Sequence, residues 1–393
     1  MKIMDFDVII IGSGPVGLSF ARALSDSDLT ICVLEQNNEL SLSKPKYDGR
    51  EVALTHLSKK IMSELEIWDR IDPDSISYIK EAKVLNGMSP YSLHFNHEET
   101  SENALGHLIP NHEIKTAVYE SITDVKNITL LTETKVESFS INDGGVSIEL
   151  NNGEILTSNL LIAADGRLSN ARRAMGIPSE VKDFGKTVIV CKMDHEEAHN
   201  NTAYECFHYG RTLAVLPMVG QCSSIVITIS SDKAKEIIDM PDKQFNLDIQ
   251  TRFRDKLGEM KLTGDKYSYP LFASHADYFH SERFALIGDA AVGMHPVTAH
   301  GFNLGLRGAY NLSKIIKLSL TSNQNYYSVE TLSEYNRKHQ LVTRPLYYGT
   351  NLIVDLYNSD RVTAKMLRRL ALRFGNNFWP VKKLIMNQLT ETN

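Results

Sequence analysis

Residues 7–24 read DVIIIGSGPVGLSFARAL, an unbroken apolar run that stops at a glycine-rich turn and then takes up a helical pattern. A β-branched run without alternation predicts a parallel strand buried on both faces, here Phe6 to Ile11. Gly12 can make the tight turn out of that strand. Gly14 lets backbone approach a pyrophosphate, and Gly17 lets helix and strand pack closely. Pro15, followed by Val16, suits the first helical turn, where a missing N–H is no loss. The free N–H groups of that helix end form a site for phosphate. Thr30 to Leu34 predicts the next buried strand, and a right-handed crossover sets the two side by side. Glu35 ends it, where a carboxylate can accept hydrogen bonds from ribose 2′- and 3′-hydroxyls and repel a 2′-phosphate.

A second stretch, residues 284–306, reads FALIGDAAVGMHPVTAHGFNLGL. It predicts a strand, a Gly288-Asp289 turn of small residues, and a helix opened by Gly301. Asp289 can hydrogen-bond ribityl hydroxyls. The helix end can face an isoalloxazine, where it stabilises the negative charge of reduced flavin. Two such pieces, far apart in the chain, imply one large cofactor, FAD. A third stretch, residues 160–177, LLIAADGRLSNARRAMGI, ends a buried strand in Asp165-Gly166. Ligands of open α/β sheets bind at such carboxyl ends. Ser169, Arg172 and Arg173 then open a helix.

The chain has 393 residues, 42% of them apolar, enough for two domains or one with a large insertion. A net charge of −6 argues against a nucleic-acid partner. The four cysteines are widely spaced, which argues against a metal site and fits a reducing cytoplasm. No leader peptide is expected, and no apolar run approaches the ~20 residues of a membrane span.

Leu57 to Ile71 predicts one amphipathic helix with Ile61, Leu65 and Trp68 along a stripe. Tyr78 to Phe95 turns to short strands, and Ile114 to Ile122 returns to helix. Between Val188 and Pro270, strand-like runs alternate with polar turns, predicting an antiparallel sheet. A long helix follows over Asn303 to Leu320. The fold class expected is therefore α/β, with a Rossmann-like FAD-binding domain, an antiparallel-sheet substrate domain and C-terminal helices. The expected divisions are 1–75, 104–180 and 275–340 for the FAD-binding domain, 76–103 and 181–274 for the substrate domain, and 341–393 for the helical segment.

In this order and spacing the motifs resemble the single-component flavoprotein aromatic hydroxylases of the para-hydroxybenzoate hydroxylase fold, and among them the ubiquinone-biosynthesis hydroxylases. Residues 48–58 (DGREVALTHLS), 203–217 (AYECFHYGRTLAVLP), Tyr269-Pro270-Leu271 and the stretch from Arg344 to Lys383 carry the likeness across nearly the whole chain. The resemblance implies that Gly12, Gly14, Pro15, Val16, Gly17 and Glu35 hold the ADP half of FAD. It implies that Arg50 reaches the cofactor, and that Asp165 serves both FAD and a visiting nicotinamide. Gly288 and Asp289 would take the ribityl-phosphate side, with Pro296, Gly301, Phe302 and Asn303 around the flavin ring. Two departures lie beside the flavin. Ala299-His300-Gly301 stands where many relatives have G-Q-G, and Gly308 stands where an acid often follows the arginine.

The implied reaction is FAD reduction by NAD(P)H, addition of O2 to give a flavin C4a-hydroperoxide, and transfer of OH to an electron-rich phenol. No nucleophilic triad is expected and none is present in the pattern. Candidates for groups touching substrate or moving protons are His208, Tyr209, Arg211, His295 and His300. Such residues are equally at home as strand-edge or packed side chains. Other readings that keep FAD are hydroxylation of another small phenol and reduction of a prenyl chain. A non-enzymatic scaffold, with or without flavin, in a biosynthetic complex is a third reading, while a halogenase lacks its tryptophan motif here. Residues 361–383 carry Arg361, Lys365, Arg368, Arg369, Arg373, Lys382 and Lys383 with no acid, interleaved with apolar residues. A basic amphipathic helix of that kind can rest on an anionic bilayer, suiting a polyprenylated phenol and a cytoplasmic protein at the inner membrane face. It is equally suited to packing on the domain.

Overall fold

The computed structural model describes residues 4–87, 91–208, 210–295, 300–358 and 379–391. Phe6–Ile11 is a strand, Pro15–Ala23 a helix and Ile31–Leu34 a fully buried strand. They belong to an eight-stranded sheet whose central run is Phe284–Leu286, Ile155–Ala163, Phe6–Ile11, Ile31–Leu34 and Ile128–Leu131. Neighbours in that run are parallel, so their carboxyl ends open along one edge. Three sequence motifs thereby arrive at adjacent strand ends. The main core packs on this sheet, with Ile9, Phe20, Leu161, Phe284 and Leu312 buried within it.

A second eight-stranded sheet orders Val292–Gly293, Met260–Ala276, Ser179–His195, Cys222–Ser230, Arg211–Pro217, Thr202–His208, Glu81–Asn86 and Ser92–Asn96. Only Thr202–His208 and Glu81–Asn86 pair in parallel. Strand alternation gives it two faces. Ile189, Cys191, Leu213 and Ile227 look outward onto the helices Ser231–Ile238 and Asp242–Phe253. Val188, Val190, Val226, Tyr267 and Tyr269 form the opposite face. Sequence reading predicted this sheet without its two helices. Phe245, Ile249 and Phe253, all buried, recur every fourth residue, and that helical signal lies inside the strand-rich stretch.

The expected helix over Leu57 to Ile71 is broken. His56–Glu64 is helical, Glu66 takes a left-handed φ of 56°, and Trp68–Arg70 is a separate turn. Ile67 N–H bonds the Met62 carbonyl at 2.8 Å, so the helix closes on itself while Leu65 and Ile67 remain buried. Ser77–Ile79 joins Glu51–Leu54 and Gly106–Pro110 in a small third sheet, so the stretch 76–103 is divided between two sheets. Residue 341 is not a boundary, because one helix runs from Val329 to Asn358 across it. The terminal helix Trp379–Thr390 buries Met386 among Leu93, Phe95, Leu105 and Leu108. Among the described residues no helix is long and apolar enough to cross a membrane.

Candidate cofactor and substrate site

The turn after the first strand is shaped by what cannot fit there. Gly12 has φ +104°, and a Cβ on it would stand 2.5 Å from the Ala164 carbonyl oxygen. A Cβ on Gly17 would stand 2.2 Å from the Gly12 oxygen, so strand and helix touch backbone to backbone. Gly14 differs: nothing lies within 4 Å of a Cβ built there. It is the N-cap of Pro15–Ala23 and offers no side-chain cap to the helix's first N–H groups. An uncapped helix end over an open glycine is a fitting cradle for a pyrophosphate.

Val16 joins the first motif to the last. A Cβ on Gly288 would stand 3.2 Å from the Val16 side chain, and one on Gly305 would stand 2.9 Å from it. Arg172, buried on the third motif, donates to the Ala290 carbonyl at 3.1 Å and to the Arg167 carbonyl at 3.3 Å. Burial lowers its pKa below the usual guanidinium value, with the Asp165 charge working the other way. Asp165 caps the next helix through one oxygen, accepting from Ala171 N–H at 3.1 Å. Its other oxygen is buried without a partner among the described residues, an acceptor awaiting a donor. The open glycine, the bare helix end and this carboxylate oxygen fit the hydroxyl and phosphate groups of FAD.

The two other acids are occupied by protein donors. Glu35 is buried and accepts from Ser13 Oγ at 2.5 Å and Ser13 N at 3.2 Å through one oxygen, and from Asn37 Nδ2 at 2.6 Å and N at 2.8 Å through the other. A ribose would replace one of the side-chain donors. Asp289 accepts from Arg167 Nε at 3.2 Å and Nη2 at 3.0 Å. Arg167 also donates to the carbonyls of Phe272 at 2.5 Å and Met294 at 3.3 Å, tying the parallel sheet to the antiparallel one. Sequence reasoning passed over Arg167. Its signal was a lone cation directly after the Asp165-Gly166 turn.

Arg50 lies over the Tyr269 ring at 5.2 Å and pairs with Asp48 at 2.6 Å. Burial opposes the charge on Asp48, but Arg50 and Asn111 outweigh it and hold its carboxyl at about 2. Burial likewise opposes the Arg50 charge, and Asp48, Tyr269 and Asp289 together raise its pKa, which sets Arg50 within the field of the second motif. Asn303 does not face open space. Its Oδ1 accepts from Thr55 N at 3.2 Å and its Nδ2 donates to Ala53 O at 2.9 Å, stapling the helix His300–Thr321 to the strand Glu51–Leu54. Phe302 packs on the main core, and among the described residues nothing lies within 4 Å of a Cβ on Gly301.

His295 is buried with its ring edge-on to Phe184 at 4.9 Å. Burial, aided by the charges of Lys186, Arg167 and Lys182, lowers its pKa to about 4, so it is neutral. Arg211 is turned away from the site. Alternation puts it on the outer face with Leu213 and Val215, where it pairs with Asp248 at 2.6 Å. That corrects its reading as a phenol contact. Tyr209 and Pro296 lie outside the described residues, as do the side chains of His208 and His300. Among the described residues no group of side chains could hold a metal ion.

A family model described as an FAD binding domain matches residues 5–345. Over 388 residues the chain is 45% identical to ubiquinone hydroxylase UbiM of Neisseria meningitidis, covering 98% of this chain and 84% of that one. The chain belongs to the FAD-dependent ubiquinone-biosynthesis hydroxylase family. As a member it is a flavoprotein monooxygenase. This hydroxylase is also 30% identical over 386 residues to ubiquinone hydroxylase UbiL of Rhodospirillum rubrum, covering 98% of this chain and 90% of that one. Its fold is similar to the crystal structure of p-nitrophenol 4-monooxygenase PnpA from Pseudomonas putida DLL-E4, with a TM-score of 0.78 over 99% of each chain. At 17% identity that likeness is one of fold. The α/β class expected from the motifs is the class observed.

Proposed function

We propose that this chain hydroxylates the aromatic ring of a polyprenylated phenol or quinol intermediate of ubiquinone biosynthesis, with O2 and electrons from NAD(P)H. The observation that carries the reading is the 45% identity to UbiM across 98% of the chain. The named relatives are hydroxylases, which favours this reaction over reduction of a prenyl chain. Bound FAD supplies the oxygen chemistry. The chain's own residues bind and orient. The helix end at Gly14 takes the pyrophosphate, Glu35 the ribose, and Asp165 and Asp289 the linker hydroxyls. The apolar face of Val188, Val190 and Val226 keeps water from the ring.

The test uses FAD-loaded protein, NADH or NADPH, isotopically labelled O2 and a 2-prenylphenol or prenylquinol. The expected product is one labelled oxygen atom heavier than the substrate. NAD(P)H consumption with no such product from either compound would overturn the reading.

The basic residues of 361–383 support a cytoplasmic protein that docks on the inner membrane face. Arg361, Lys365, Arg368, Arg369 and Arg373 lie outside the described residues, while Lys382 is engaged with Glu99 at 2.7 Å. Changing those five to Gln should reduce co-sedimentation with phosphatidylglycerol vesicles. Equal sedimentation of both forms would count against docking.

A further inference from the structure

The inner face of the antiparallel sheet carries a carboxyl group, that of Glu205, that no described residue answers. Across the strands, Glu205 pairs with Ala214, Ala214 with Val226, Val226 with Val190, and Val190 with Tyr267. On its other side Glu205 pairs with Val84. Residues in one such row share a face. At the Tyr267 end that face meets the cofactor side: a Cβ on Gly49 would touch the Tyr267 ring at 2.6 Å and Val190 at 2.8 Å, and Tyr269 Oη donates to the Asp48 carbonyl at 2.6 Å. The row thus leads from the loop that bears Arg50 to Glu205, through side chains no larger than valine. Between the tyrosine and the glutamate the row holds Val190, Val226 and Ala214, all apolar.

Neighbouring charges point elsewhere. Tyr204 and Cys206, flanking Glu205 in sequence, pack on the outer face with Phe253. Lys83 on the adjoining strand lies over Tyr204, as does Lys256 from beyond the sheet, and Arg211 on the other neighbour pairs with Asp248. Lys192, at the far end of the inner face, lies over Tyr47 at 4.1 Å. Among the described residues Glu205 has no hydrogen-bond or ion-pair partner, though its side chain keeps some accessible surface. Burial alone pushes its carboxyl up to about 7. A lone carboxyl that is half-buried in apolar surroundings is destabilising unless something uses it.

We propose that Glu205 receives the phenolic hydroxyl of the substrate, accepting its hydrogen bond and then its proton while the ring is hydroxylated. In that step the phenol O–H bond breaks, an O–H bond forms on the carboxylate, and the electron pair remains on the phenol oxygen. No group is oxidised or reduced. The ring becomes more electron-rich as it meets the transferred oxygen. This rests on the proposed function, but phenol recognition can be measured apart from turnover.

In FAD-loaded protein, binding of 2-prenylphenol should tighten as pH rises from 6 to 8 (~) through the carboxyl's titration, whereas binding of its methyl ether, which has no proton to give, should not. Glu205→Gln should abolish that difference, keep its FAD absorption, and lower the hydroxylation rate by roughly 10²-fold while losing the limb near neutral pH. Glu205→Asp should restore the limb in part. Identical pH dependence for phenol and methyl ether in the unsubstituted protein overturns the proposal without recourse to any variant. So does a Gln variant that keeps the pH limb. If phenol and ether differ as expected but no oxygenated product forms, Glu205 stands as the phenol acceptor and the hydroxylase reading falls.

Discussion

Arg307, in the helix His300–Thr321, holds Glu391, just past the terminal helix, at 3.1 Å, and the same carboxylate accepts from Thr55 Oγ1 at 2.9 Å. The end of the terminal helix is thereby pinned to the helix that packs on the Gly288–Ala290 turn. Thr55 in turn caps His56–Glu64 and donates its N–H to Asn303. Glu391→Ala would remove the carboxylate from Arg307 and one of the two acceptors of the Thr55 hydroxyl. A loss of about 2 kcal/mol is expected, below the full value of a buried pair because Arg307 is partly exposed. Chemical denaturation of holo-protein measures it, and an unchanged midpoint would show that the terminal contact contributes nothing.

Gly14 and Gly17 should separate binding from folding. Gly14 has φ −61° and open space where a Cβ would go, so Gly14→Ala should fold with an ordinary melting temperature yet purify with little FAD. Gly17→Ala drives a carbon against the Gly12 carbonyl oxygen and should lose roughly 1–3 kcal/mol or fail to fold. Absorbance of bound flavin beside a thermal melt distinguishes the two. A fully yellow Gly14→Ala protein would contradict the pyrophosphate cradle.

Two buried groups give opposite pH signatures. Burial raises Glu51 from 4.5 to about 7, against the pull of Lys192 and of the Tyr47 hydrogen bond. Its preference for the proton stabilises the fold at acid pH and is lost as pH rises through about 7. Glu51→Gln should therefore gain on the unsubstituted protein between pH 5 and 8 (~). Burial, then the Arg307 charge, lowers His339 from 6.5 to about 3. Its contribution is complete above 6.5 and disappears as pH falls toward 3. His339→Leu should flatten that acid decline. Melting temperatures taken across the range check both, and parallel curves for variant and parent would refute the assignment.

Arg211 supplies a contrast to Glu205 from the opposite face of the same sheet. Arg211→Met should weaken the fold through Asp248 while leaving KM for the phenol within about twofold, because its side chain faces the outer helices. A large rise in KM with unchanged stability would mean that the strand face has been misread.

Period and punctuation made four of the five parallel strands, the glycine turn and the acids at the strand ends legible, because each is set by neighbours in sequence, while the edge strand Ile128–Leu131 went unread. The long helix was legible too, although it begins at His300 rather than Asn303. The helices at 231–253 were missed because a helical interval of buried phenylalanines sat among strands, and the break at Glu66 because closing a helix by a left-handed residue carries no strong sequence mark.

Local pattern alone determined that this chain would build a parallel sheet with a dinucleotide turn and a second, glycine-led helix: strand alternation, helix period and glycine sterics act over a few residues. Only the tertiary structure decided which polar groups serve the site. It gave Arg167 to Asp289, sent Arg211 outward, turned Asn303 into a staple, and set Glu205 on an apolar face with no partner among the described residues. Those outcomes depend on which strands become neighbours and which face each helix covers, and such contacts join residues too distant in the chain for any local pattern to encode.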